Sequence, residues 1–245
     1  MSAHPREEKV TKDEIAVVTG VGPGLGTALC RRFVDAGMKV AMGARREEQL
    51  KEIAASISGD AVWAYPVDVT NEKSVTGFFL KVKFDLGEPN LVVYNAGAFQ
   101  RASILEADSN DFERCWRVGC MGGFLVGREA AKIMANRGSG TILFTGATAS
   151  LRGSAQFFNL AVGKFGLRAL AQSMARELGP KGVHVAHVII DGHIAAGRHL
   201  TLAEERGPDA LLEPDAIAET YYQLHCQPRS AWALEVDLRP WVEKF

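Results

Sequence analysis

Thr19-Gly20-Val21-Gly22-Pro23-Gly24-Leu25-Gly26 is the stretch on which the fold turns. It joins the β-rich run Ile15-Ala16-Val17-Val18 to a segment, 24–36, whose apolar residues Leu25, Leu29 and Phe33 recur at helical spacing. Glycines in such a turn let the backbone approach a pyrophosphate, which then rests on the positive N-terminal end of the helix. The spacing is GxxxGxG rather than GxGxxG, and by itself it also fits a plain tight strand-to-helix turn.

Outward from this turn the alternation continues. Apolar runs at 40–42, 62–65, 91–94, 141–144, 183–190 and 233–237 are separated by helical stretches at 46–57, 71–84, 109–137, 154–178 and 214–224. Strands alternating with helices predict an α/β fold: one doubly wound, seven-stranded parallel sheet with helices on both faces. One domain is expected over 13–245, after a flexible N-terminus at 1–12 and with a lid at about 192–213.

Composition narrows the field. The chain of 245 residues is 47% hydrophobic and 23% charged, which excludes disordered, collagen-like and coiled-coil proteins. Lys+Arg 28 against Asp+Glu 29 leaves a net charge of -1, so nothing favours nucleic acid or an anionic membrane. No apolar run approaches the roughly 18 residues of a membrane span, and the polar start lacks a signal-peptide core. Cys30, Cys115, Cys120 and Cys226 form no CxxC pair and read as reduced thiols of a cytoplasmic protein. His184 and His187 have no third ligand at suitable spacing, so no metal is expected.

Three motifs stand in register: the 19–26 loop, Asp68-Val69 after the third run and Asn95-Ala96-Gly97 after the fourth. In this order they resemble the short-chain dehydrogenases/reductases over roughly 12–245. The resemblance implies a Rossmann-type domain, a nicotinamide cofactor across the carboxyl ends of the strands, a small-molecule substrate and a homodimer or homotetramer. It places Gly20, Gly24 and Gly26 at the pyrophosphate, with Thr19 and Leu25 in the same loop. Asp68 and Val69 would flank the adenine, and Asn95, Ala96 and Gly97 would lie along the ribose. A turn-forming aspartate after a strand is the structural alternative for Asp68.

Members that bind NAD carry an acid at the end of the second strand, for the ribose 2′-hydroxyl. Here the run is Met42-Gly43-Ala44-Arg45-Arg46, with Ala44 where that acid is expected. A guanidinium can bond a 2′-phosphate bidentately, so NADP(H) is favoured over NAD(H). Arg45 is the first choice for that contact and Arg46 the second; a solvated pair opening the next helix is the alternative.

The same family carries Tyr-xxx-Lys on the helix after strand five, a Ser thirteen residues before the Tyr and an Asn on the preceding helix. Lys164 fits the Lys. Leu160 stands where the Tyr is expected, Ala147 where the Ser is, and Gly119 where the Asn is. Tyr65, Tyr94, Tyr221 and Tyr222 are followed four places on by Val69, Ala98, His225 and Cys226, so no realignment restores the pair. Asn159, Ser150, Thr148, Ser154 and His193 fall near the pocket by family register, and His193 could titrate near neutrality. Asn159 is one position from Leu160, about 100° around the helix, and should point elsewhere.

Three functions follow from this mixture. One is an NADP(H)-dependent oxidoreductase with non-standard proton transfer. The second is a catalytically silent NADP-binding protein, a sensor or partner subunit. The third is a lyase or isomerase in the same cleft. Phe157, Phe158, Leu167 and Leu170 are expected in core and subunit interface, and Trp241 over the sheet edge or a neighbour.

Overall fold

The computed structural model describes residues 14–57, 61–197, 201, 207 and 209–243. The N-terminal segment 1–12 and most of 198–208, the middle of the expected lid, lie outside the described residues.

Seven strands are present: β1 Ile15–Thr19, β2 Lys39–Ala44, β3 Val62–Pro66, β4 Leu91–Tyr94, β5 Gly140–Thr145, β6 Val183–Ile190 and β7 Glu235–Leu238. They form one sheet in the order β3-β2-β1-β4-β5-β6-β7, and every pairing is parallel. β1, β4 and β6 are buried along their whole length, which is why they read as unbroken apolar runs rather than as alternation.

Helices cover both faces. On one lie α1 Leu25–Asp35, α2 Glu47–Ser56 and α7 Pro214–His225, with Leu29, Phe33, Leu50 and Tyr221 packed beside Val18 and Met42 of the strands. On the other lie α3 Glu72–Asp85, α5 Gly122–Arg137 and α6 Phe158–Leu178, with Phe78, Leu125 and Leu167 packed beside Val17, Tyr94 and Phe144. Local chemistry sets several ends. Asn71 accepts from the Ser74 amide to start α3, Asp108 accepts from the Asn110 and Asp111 amides to start α4 Ser109–Trp116, and Gly138 closes α5 at φ 77°.

Three expectations are corrected. The helix expected over 109–137 is α4, then a π-helical turn at Arg117–Met121, then α5; the Gly122 amide bonds the Arg117 carbonyl five residues back. The helix expected from 154 begins at Phe158, because Gln156 sits at φ 68°, outside helical space. Trp241 is 81% exposed and does not cover the sheet edge.

Candidate active site

The strand order reverses between β1 and β4, and the loops that follow them diverge to leave a crevice at the carboxyl ends. Its two walls are joined: Asn95 Nδ2 donates to the Gly20 carbonyl at 3.0 Å, and the Gly20 amide bonds the Gly43 carbonyl at 2.8 Å. Gly20 has φ 80°, and a Cβ there would stand 2.3 Å from the Ala96 amide nitrogen. Gly24, at φ 103°, precedes α1, and its Cβ would stand 2.7 Å from that of Ala196. Only glycine fits either place. The first turn of α1 carries no acid and no side-chain cap. The cavity in front of it, about 400 Å³, is bounded by Gly20, Gly26, Asn95, Thr145, Ala147 and Ile194, among others.

The remaining expected nucleotide contacts divide. Thr19 is buried and donates to the Val93 carbonyl at 3.2 Å, so its hydroxyl supports the strand pair. Leu25 and Val69 turn their side chains into the two cores, leaving only their backbones at the loop ends. The Asp68 carboxylate accepts from the Thr70 amide and hydroxyl at 2.9 and 2.8 Å, a turn in the sense expected of an aspartate there. Ala96 is buried and Gly97 exposed. Arg45 and Arg46 lie exposed just past β2, and neither has a side-chain partner among the described residues.

Lys164 is the buried cation of the site. Its Nζ donates to the Thr145 carbonyl at 2.6 Å, at the carboxyl end of β5, and the residue is only 5% exposed. Burial makes the ammonium easier to deprotonate and brings its pKa down to about 8. Leu160, one turn earlier on α6, is half-buried. Asn159 does point elsewhere: its Nδ2 donates to the Gln100 carbonyl, and its buried Oδ1 has no partner among the described residues. Gly119, in the π-helical turn, faces Gly163 of α6.

A polar ring lies beneath the loop after β5. Ser150 Oγ accepts from the Ala147 amide at 3.1 Å and meets His187 Nε2 at 3.3 Å. His187 Nδ1 is 3.4 Å from Glu235 Oε2, and Glu235 takes a bidentate pair from Arg168 at 2.6 and 2.7 Å. Arg168 returns to the Ser150 carbonyl at 3.5 Å. The His187 imidazole fills the space beside Gly146, where a Cβ would come within 2.4 Å of the ring. Burial pushes the His187 pKa down to about 4, so the ring is neutral. Sequence reasoning named Ser150 but missed the ring. Its signals were a histidine inside an apolar strand and an arginine one turn after Lys164. Beyond β6, Thr148 donates to the buried Asp191 carboxylate at 2.5 Å, and Arg239 Nη2 lies 3.5 Å from the same group. His193 holds the chain through its carbonyl, which accepts from the Leu212 amide at 2.8 Å.

The comparisons with known proteins bear on this arrangement. The model of the short chain dehydrogenase family matches residues 14–197. The chain belongs to the short-chain dehydrogenase family. It is 31% identical to a 3alpha-hydroxysteroid dehydrogenase of Mediterraneibacter gnavus over 212 residues, 83% of this chain and 80% of that protein. Among solved structures it resembles a short-chain dehydrogenase from Rhodopseudomonas palustris, at 38% identity and TM-score 0.81, over 94% of this chain and 99% of the other. It also resembles an alcohol dehydrogenase from Thermococcus sibiricus complexed with 5-hydroxy-NADP, at 25% identity and TM-score 0.83, over 94% and 98%. These likenesses make the protein a short-chain-dehydrogenase-like oxidoreductase. Among the described residues no helix is long and apolar enough to cross a membrane, and no cluster of His, Cys, Asp and Glu is placed to hold a metal.

Proposed function

We propose that this chain binds NADP(H) in the crevice between β1 and β4 and exchanges a hydride with a small molecule, without a protein tyrosine as proton donor. The carrying observation for the cofactor is the exposed Arg45–Arg46 pair at the end of β2, without a side-chain partner among the described residues and with Ala44 in place of an acid. The fit is good elsewhere: Gly20 and Gly24 leave room that any Cβ would fill, and the N-terminus of α1 is uncapped. Gly20, Gly24, Gly26 and Asn95 would hold the dinucleotide, with Asp68, Val69, Ala96 and Gly97 on its adenosine side, and Arg45 and Arg46 would take the 2′-phosphate. When bound, the cofactor supplies or accepts the hydride.

The chain's own groups then limit the chemistry. Lys164 would hold the ribose hydroxyls. Leu160 can neither give nor take a proton, and Ala147 offers no hydroxyl to a substrate oxygen. Loss of a general acid typically costs about 10²–10⁴ in rate, so ordinary ketone reduction is disfavoured. An iminium, which needs only the hydride, or an activated alkene, whose product anion can take its proton from water, tolerates these losses. His193, in the loop after β6, is the candidate for a replacement proton donor.

The test is stopped-flow oxidation of bound NADPH against carbonyl, imine and enone panels. An imine or enone that accelerates oxidation is the expected result. If none does, and Leu160→Tyr with Ala147→Ser then creates carbonyl reduction, the second reading stands: an NADP-binding protein without catalysis, favoured by the joint presence of Gly119, Ala147 and Leu160. We further infer a homodimer or homotetramer, supported by exposed Trp116, Phe124, Val162 and Phe165 on α4, α5 and α6, and checked by light scattering.

A further inference from the structure

Two loops at the mouth of the cleft are latched together. Phe99, two residues past Gly97, stacks on Phe157 with ring centroids 4.7 Å apart and planes at 17°. The Arg101 guanidinium lies 5.9 Å from the Phe157 centroid, and its Nε donates to Gln156 Oε1 at 2.7 Å. The Ala102 amide bonds the Gln156 carbonyl at 3.4 Å, and Asn159 bonds the Gln100 carbonyl. Gln156 is held at φ 68°, a conformation costly for a side-chain-bearing residue, which persists only where the surroundings enforce it.

This latch has the makings of a binding platform. Both rings are half-buried, so part of each stays open. Phe157 precedes Leu160 by three residues at the start of α6, and Phe99 lies four residues past Asn95, which bounds the crevice, so the pair joins the two segments that lead out of it. Leu160 and Ala147 bring no hydroxyl of their own, and the Thr145 hydroxyl is taken by Tyr221. Arg101 makes no ion pair among the described residues, although it is fixed in place by Gln156.

We propose that Phe99 and Phe157 form the platform for a planar, apolar ring system that carries one anionic group, the rings resting on the phenyl pair and the anion meeting Arg101. The proposal rests on the NADP(H) reading and names the substrate class for that cleft. A guanidinium bonds a carboxylate through two parallel N–H groups, and aromatic faces favour flat over puckered rings.

The test is calorimetric titration of the NADPH-saturated protein with 2-naphthoate, 2-naphthamide and cyclohexanecarboxylate. The expected order places 2-naphthoate about tenfold tighter than either of the others. Phe157→Leu should weaken 2-naphthoate about tenfold, and Arg101→Gln should abolish the preference for naphthoate over naphthamide while leaving naphthamide unchanged. Unaltered naphthoate affinity in both variants, or equal binding of cyclohexanecarboxylate, overturns the proposal. Should Phe157→Leu fail to fold, the exposed Arg101→Gln variant decides alone. NADPH titration of the same preparations separates the two readings. Failure of NADPH to bind sinks the cofactor assignment, whereas intact NADPH binding with variants indifferent to naphthoate sinks only the platform.

Discussion

Gly119 and Gly163 meet backbone to backbone. A Cβ on Gly119 would stand 3.2 Å from the Gly163 Cα, and one on Gly163 would stand 3.3 Å from the Gly119 Cα. The π-helical turn and α6 therefore cross so closely that even a Cβ would require the facing backbones to part by a few tenths of an ångström. Gly119 is also the position where the family resemblance expects an asparagine.

Gly119→Asn is expected to destabilise the fold by about 1–3 kcal/mol, because backbone on both sides must move apart. Gly77→Ala, at an exposed position of α3 with nothing within 4 Å of the added carbon, is the opposite case. It should stabilise by about 0.8–1.0 kcal/mol through helix propensity. Urea unfolding of both variants checks the pair; equal shifts would refute the packing argument.

Cofactor choice is read by fluorescence titration. NADPH should bind at least about ten times more tightly than NADH, as a charge-assisted phosphate contact implies. Arg45→Ala should remove most of that preference and leave NADH affinity unchanged. Equal affinities in the unaltered protein would refute the 2′-phosphate assignment.

Lys164 should show itself in alkaline stability. Its folded pKa of about 8 lies below the ordinary lysine value of 10.5, so between these values the unfolded chain binds more protons. Stability from this group therefore rises with pH across 8 to 10.5, and below 8 the full cost of burying the charge is present. Lys164→Met should remove that slope, and its stability relative to the parent should be most favourable at pH 7. A slope unchanged by the substitution would count against a desolvated amine.

His187 governs the acid side. Its folded pKa of about 4 lies below the ordinary 6.5, so the unfolded chain binds the extra proton between these values. Stability is lost as pH falls from 6.5 to 4, and His187→Asn should flatten that limb. The pKa of Glu235, also lowered by Arg168, adds a separate loss below its unfolded value of 4.5 that the variant keeps. Unfolding curves at pH 7, 5.5, 4.5 and 3.5 resolve the two.

The sheet was legible because its inner strands are buried on both sides, so 91–94 and 183–190 announce themselves as apolar runs bounded by turns. The break after Trp116 was not. Residues 109–137 keep helical spacing, and the π-helical turn sits where Gly119 meets Gly163, forty-four positions away, a tertiary contact that local spacing does not carry. The glycine loop and Asn95 were readable because close backbone approach demands particular residues. Lys164 was readable by register, but its bond to the Thr145 carbonyl and its buried state were not. The Ser150–His187–Glu235–Arg168 ring joins a loop, two strands and a helix, so no local pattern could reveal it. Arg45 and Arg46 remain exposed, as a solvated pair would be, and only a bound phosphate distinguishes the two roles.

The contact of His187 with Gly146 makes these two positions mutationally interdependent. Any side chain at 146 would come within 2.4 Å of the imidazole and 2.9 Å of Ser150 Oγ, so a residue larger than glycine becomes admissible there only after His187 has been replaced by something smaller and the Ser150 hydroxyl has turned aside. An attempt to graft a hydroxyl onto the cleft floor at 146 must therefore be made as a paired exchange, and the order of the two steps matters: loss of the ring first, gain of the side chain second.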